Sequence, residues 1–202
     1  MKTVPPRRGR PPVSSREAIE EIAFDLLLKN GYEATTVQAI MAEGGISRTT
    51  FFRYFGTKGG IVWGEFDRAV ERLRGSLAEG GDAPTMTAIV RAIAESTRLS
   101  REAAPDTWLD RFRVLDEDPA LSGESAEHWR IWAGVITSFV EEHAGMAAGS
   151  VTTAAVGGAM QAAYVAVLRE WAAHPSLVDR NTLESRLTAL GNALQPLLGQ
   201  RP

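Results

Sequence analysis

From Ile19 onward, apolar residues in this 202-residue chain recur at spacings of three and four, and the alternation that marks a half-buried strand is almost absent. That period predicts an all-α fold of about nine helices. The first covers residues 15–30, opened by Ser14 with Glu17 three positions on as a capping box and closed by Gly31. Its apolar stripe is Ile19, Ile22, Ala23, Leu26 and Leu27. A second, short helix starts near Thr35 or Thr36, with Gln38 placed to complete a box from Thr35, and breaks at Gly44-Gly45. A third begins at the cap Ser47 and ends near Phe55-Gly56, and a long fourth runs from Thr57 to the break at Gly80-Gly81. Gly, Pro and Asp clusters separate further helices near 84–99, 105–116, 119–144, 151–173 and 180–198.

Charge divides along the same chain. Residues 1–60 hold nine Lys/Arg against six Asp/Glu, whereas 61–202 hold thirteen against nineteen, so a basic reader joined to an acidic body is hidden within a net charge of −3. The organisation expected is a disordered basic arm at 1–12, a three-helix DNA-binding domain at 13–60, and a ligand-binding and dimerisation domain at 61–202. The absence of Cys excludes thiolate metal sites, disulfides and cysteine nucleophiles, and fits a cytoplasmic protein. No apolar run approaches the ~18 residues that suggest a membrane span, and the start of the chain lacks the apolar stretch of a secretion signal.

Residues 36–58 carry the functional signal: two short helices joined by a tight Gly turn, the second rich in hydroxyl, basic and aromatic side chains. That is the form that places a helix in the DNA major groove. Val37, Ile40, Met41, Ile46, Phe51 and Phe55 fall at core spacing. Ser47, Arg48, Thr49, Phe52, Arg53 and Tyr54 are left facing outward, suited to base edges, thymine methyls and phosphates. Over residues 15–62 the pattern of Gly, a small apolar residue, Ser, aromatics, Phe and Lys resembles the TetR family of bacterial regulators. The resemblance implies that Thr36, Ser47, Tyr54 and Lys58 touch phosphates while Arg48, Thr49 and Phe52 lie nearest the bases. Lys58 and the start of the fourth helix would together form an anion site. The chain departs from the family pattern at Met41 and Gly44, where Ala is usual.

Ahead of the first helix, Arg7, Arg8 and Arg10 lie between prolines, as in arms that enter a narrow A·T-rich minor groove. In the second domain Trp63, Trp108, Trp129 and Trp132, with Phe112, Met160 and Tyr164, are the candidate walls of an effector pocket. Arg111 or Arg113 would meet an acidic group there. The run at 63–67, Trp-Gly-Glu-Phe-Asp, also resembles regulators of the mycofactocin system, which respond to acyl-CoA. In the last two helices, Ala155, Gly158, Ala159, Ala162 and Ala166 form a small-residue strip. Leu183, Leu187, Leu190, Ala193, Leu194 and Leu197 form an apolar one. In the TetR family the corresponding helices pair two subunits.

The function expected is a homodimeric, ligand-responsive repressor, released from a palindromic operator in double-stranded DNA by a small apolar or amphipathic ligand, with no enzymatic activity, cofactor, metal or membrane partner. One competing class is a helical enzyme of the di-iron carboxylate type. It needs Glu-x-x-His pairs, and none of His128, His143 and His174 has a Glu three positions earlier. The other is an architectural DNA binder without an effector, which the large Trp-bearing second domain disfavours.

Overall fold

The computed structural model describes residues 15–103, 105 and 107–198; the arm bearing Arg7, Arg8 and Arg10 lies outside them. The described residues form α1 (Arg16–Asn30), α2 (Val37–Gly44), α3 (Arg48–Phe55), α4 (Lys58–Ala78), α5 (Thr85–Ala103), α6 (Trp108–Glu117), α7 (Ser122–Ala144), α8 (Val151–Ala173) and α9 (Arg180–Leu194). Three short 3-10 turns, Pro119–Leu121, Pro175–Leu177 and Gln195–Leu198, complete the helical set. The chain divides into two compact units after Gly64, inside α4, whereas the sequence signals place the division after Gly60.

In the first unit, three N-caps set the helix starts. Ser15, not Ser14, opens α1: its backbone is extended and its side chain accepts from the Ala18 N–H. Glu17 is therefore one position short of a capping box. Likewise Thr36, not Thr35, caps α2 by accepting from Ala39 N–H at 3.1 Å. Thr35 is instead buried, its hydroxyl shared between the carbonyls of Gly31 and Leu26, where it ties the end of α1 to the following loop. Ser47 caps α3 through the Thr50 N–H, and Gly45 makes the turn before it with φ of 62°, a left-handed value that Gly adopts without Cβ strain. Ile19, Ala23, Phe24, Leu27, Ile40 and Phe51 make a dry centre, each at most 2% exposed.

In the second unit α7 packs along α8 and α5 along α9, with α6 lying on α8. Backbone approach explains one of the two central glycines of α8. A Cβ on Gly157 would overlap Thr137 Oγ1 and stand 2.7 Å from the Ala133 carbonyl oxygen, whereas Gly158 has open space around it. The helix expected over 119–144 opens as a 3-10 turn because Asp118 caps the Ala120 N–H and Pro119 takes the first position. The one expected over 180–198 gives way to a 3-10 turn at Gln195, next to Pro196, which has no N–H to continue the ladder. The sequence reading also underrated α8, which is 23 residues long with a mean hydropathy of 1.5 over an 18-residue window, enough by length and composition to cross a membrane. Its apolarity comes largely from Ala and Val, and it packs against α6, α7 and α9.

Candidate functional site

α3 divides its residues between a buried and an open side. Phe51 and Phe55 turn inward, 0% and 7% exposed, while Arg48, Thr49, Phe52 and Arg53 face solvent and Tyr54 is half-buried. Ser47 and Thr36 are exposed as well, at the starts of their helices. Two cations are held by neighbouring rings: the Arg48 guanidinium lies 5.2 Å from the Phe52 centroid and that of Arg53 lies 5.0 Å from Tyr54. Such stacking orients a guanidinium without consuming its N–H donors, so the donors stay available to bases or phosphates.

Lys58 is more occupied than its expected phosphate role requires. Its ammonium donates to the carbonyls of Tyr32 at 2.6 Å and Thr35 at 3.0 Å and lies 3.9 Å from the Tyr32 ring centroid. An ammonium has three N–H donors, two of which these carbonyls take. The start of α4 is partly used too, since Thr57 Oγ1 accepts from Gly60 N–H. Gly60 itself went unnoticed in the sequence: a Cβ there would overlap the Phe55 carbonyl oxygen, so α4 can start this close to the end of α3 only with Gly at that position.

The candidate effector residues fall into separate groups. Trp63 is buried in the first unit. Trp129, Trp132 and Tyr164 cluster, with Trp132 stacked on Tyr164 at 5.2 Å and Phe66 against Trp129 at 4.9 Å. Trp108 instead faces Trp171 at 6.2 Å, and Arg111, Phe112 and Met160 are buried. Arg113 is at the surface beside Asp110 and Glu117 and is ill placed to receive a buried acid.

The sequence reading missed a polar set beside the aromatic cluster: Glu65, Arg72, Thr97 and Ser100. Its one visible signal was the cluster of hydroxyls at Ser96, Thr97 and Ser100, set among the charged residues Glu95, Arg98, Arg101 and Glu102. Burial pushes the Tyr164 phenol up to about 12, against the opposing pull of its hydrogen bond with Thr97 at 2.8 Å. A cleft of about 780 Å³ lies between the start of α5 and the ends of α7 and α9, lined by Thr85, His143, Asn192 and Gln195 among others. None of the candidate effector residues lines it. Along α8, Ala155, Ala162 and Ala166 are exposed and Val151 is 88% exposed, while on α9 Leu183 and Leu187 enter the core and Ala193 stays outside.

Comparison with known proteins bears on both units. Residues 19–62 match the model for bacterial regulatory proteins of the tetR family, and residues 83–195 match the model described as the MftR C-terminal domain. A Mycobacterium tuberculosis protein named MftR, a mycofactocin biosynthesis transcriptional regulator by name, is 28% identical over 139 residues, covering 69% of this chain and 70% of its own. Among solved structures, a transcriptional regulator from Pseudomonas aeruginosa PAO1 superimposes with a TM-score of 0.61 at 18% identity, over 93% of each chain. The Thermus thermophilus repressor FadR, solved in complex with lauroyl-CoA, gives 0.52 at 20% identity, over 93% of this chain and 96% of its own. At these identities the likeness to the solved structures is one of fold.

Proposed function

The chain belongs to the TetR family of bacterial transcriptional regulators, and on that premise we infer that it is a cytoplasmic repressor that binds a palindromic operator as a homodimer and leaves it when an amphipathic acid or acyl thioester binds the second unit. The observation that carries the DNA reading is the open side of α3, where Arg48, Thr49, Phe52 and Arg53 stand exposed on a helix entered through a Gly turn and a Ser cap. Arg48 is the strongest candidate base reader, because a guanidinium matches the paired acceptors of guanine. The remaining donor of Lys58, with Thr36, Ser47 and Tyr54, would set the register on phosphates. Arg7, Arg8 and Arg10 would reach the adjoining minor groove.

The effector class rests on chemistry and on relatives. Trp129, Trp132 and Tyr164 supply apolar walls, the M. tuberculosis relative is named for mycofactocin biosynthesis, and the T. thermophilus fold neighbour holds lauroyl-CoA. α4 contributes Lys58 to the first unit and the stretch from Glu65 to the second, so a ligand that moves this helix can change DNA affinity. The binding test uses an operator selected from random duplexes. Arg48→Ala should cost about 1–3 kcal/mol on that operator and little on random DNA. Equal loss on both would remove Arg48 from base reading. Saturating lauroyl-CoA should weaken operator binding about 5–150-fold; an unchanged affinity would exclude it as inducer.

A further inference from the structure

Inside the second unit, α4, α5, α7 and α8 bring charged and hydroxyl groups up to an aromatic cluster. Arg72 on α4 donates through Nε to Ser100 Oγ on α5 at 3.3 Å, and through a terminal nitrogen to the carboxylate of Glu65, two turns earlier on its own helix. Glu65 also receives Arg68 at 2.8 Å. On α8, Tyr164 bonds Thr97 and stacks on Trp132 of α7. Pairing a largely buried guanidinium with a carboxylate stabilises a helical body no better, and often less well, than apolar side chains of the same volume.

Access makes the pair usable. Arg72 keeps 21% of its side-chain surface accessible and Glu65 14%, so the pair borders solvent, yet the site is dry enough for a charge-assisted hydrogen bond to count. Trp129, half-buried, packs edge-on against both Trp132 and Tyr164 and brings the cluster to the surface. We propose that Arg72 is the anchor for the acidic group of the effector and that Glu65 is its resident counter-ion, displaced when an organic acid with an apolar body lays that body along the Trp129–Trp132–Tyr164 cluster. The proposal rests on the ligand-responsive reading above and assigns the head of the ligand to α4. Glu65 adjoins Phe66, which meets Trp129 edge-on, and Asp67, which faces His128 at 3.2 Å, so the exchange occurs where α4 is fastened to α7.

The test uses dodecanoate and dodecan-1-ol, which share a body and differ in the head. Binding is followed by Trp fluorescence on the full chain, with thermal melts to confirm that each variant folds. The wild type should prefer the acid. Glu65→Gln, which removes the competing charge and keeps the shape, should raise the acid-to-alcohol affinity ratio about tenfold, and Arg72→Gln should bring that ratio close to one. Failure of dodecanoate to bind, or a ratio that either substitution leaves unchanged, overturns the proposal. The ligand-responsive reading is judged separately by operator release. If dodecanoate releases operator equally from wild type and Arg72→Gln, that reading stands and the Arg72 anchor falls.

Discussion

Lys58 donates to the main-chain carbonyl of Tyr32 at 2.6 Å while its ammonium sits 3.9 Å from the ring of the same residue, so a side chain expected to serve DNA is also a brace between α4 and the loop after α1. Removing it therefore has two consequences rather than one.

Lys58→Met should lower the melting temperature, because the carbonyls of Tyr32 and Thr35 lose a charged donor, at a cost of about 1.5–3 kcal/mol for a hydrogen bond to a charged group. It should also weaken binding to all DNA sequences and make the salt dependence shallower by about one unit, as loss of a single phosphate contact does. Thermal denaturation and salt titrations of DNA binding measure the two effects independently. A lowered melting temperature with an unchanged salt slope would leave Lys58 as a brace alone.

Two glycines in the first unit should respond in opposite directions. Gly44 is buried at the end of α2, but a Cβ there would lie 3.8 Å from Ile46 and 4.0 Å from Ile19, ordinary contact distances, so Gly44→Ala should stabilise by about 0.4–1 kcal/mol. The family's usual Ala thus fits at this position without changing the helix crossing. Gly60→Ala, by contrast, has to push the Phe55 carbonyl away and should destabilise the α3–α4 corner along with DNA binding. Chemical denaturation of the two variants decides both signs; a stable Gly60→Ala protein with full DNA affinity would contradict the geometry.

Those glycines mark where the sequence could and could not be read. Helical period, Gly turns and Ser/Thr caps made the helices and the open side of α3 legible, because each of those signals is local. Ser47 was legible as a cap, but the first cap missed by one residue and the second stayed open between Thr35 and Thr36, since Ser14 and Ser15, like Thr35 and Thr36, are chemically alike and only burial of Thr35 separates the latter pair. Gly60 was silent because its neighbour, the Phe55 carbonyl, is a backbone atom that leaves no trace in residue identity. Arg72 and Glu65 stand seven residues apart on α4, and nothing local to the sequence tells that Ser100 of α5 comes to meet them. The aromatic residues were proposed as one set of walls and fall into separate groups, because which Trp meets which is decided by long-range packing.

Tyr164 gives the second unit a pH dependence at the alkaline end. Its folded pKa is raised from 10.0 to about 12, chiefly by burial, so the folded state keeps a proton that the unfolded state releases. The stability tied to that proton is complete below about pH 10 and is lost as pH rises toward 12, at a slope approaching 1.4 kcal/mol per unit. Tyr164→Phe lacks this ionisation. Between pH 9 and 11.5 its melting temperature should fall less steeply than that of the wild type, although it starts lower for want of the Thr97 hydrogen bond. Parallel curves would mean that the phenol titrates without penalty.

The last expectation separates the two glycines at the centre of α8. Gly157 is committed inside the chain, where a Cβ would overlap Thr137, so Gly157→Ala should destabilise the subunit itself. Gly158 meets nothing within 4 Å and belongs to the strip that includes the exposed Ala155, Ala162 and Ala166. A Gly inside a helix costs about 1 kcal/mol relative to Ala, and no contact within the chain offsets that cost at Gly158. If a second copy packs its helix against this strip, Gly158→Leu should dissociate the dimer while the separated subunit keeps its helical content. Sedimentation velocity reads the mass and circular dichroism the fold. A Gly158→Leu protein that stays dimeric would move the interface off this strip, whereas a monomer that also loses operator binding would tie DNA recognition to the pairing of two α3 helices across a palindrome.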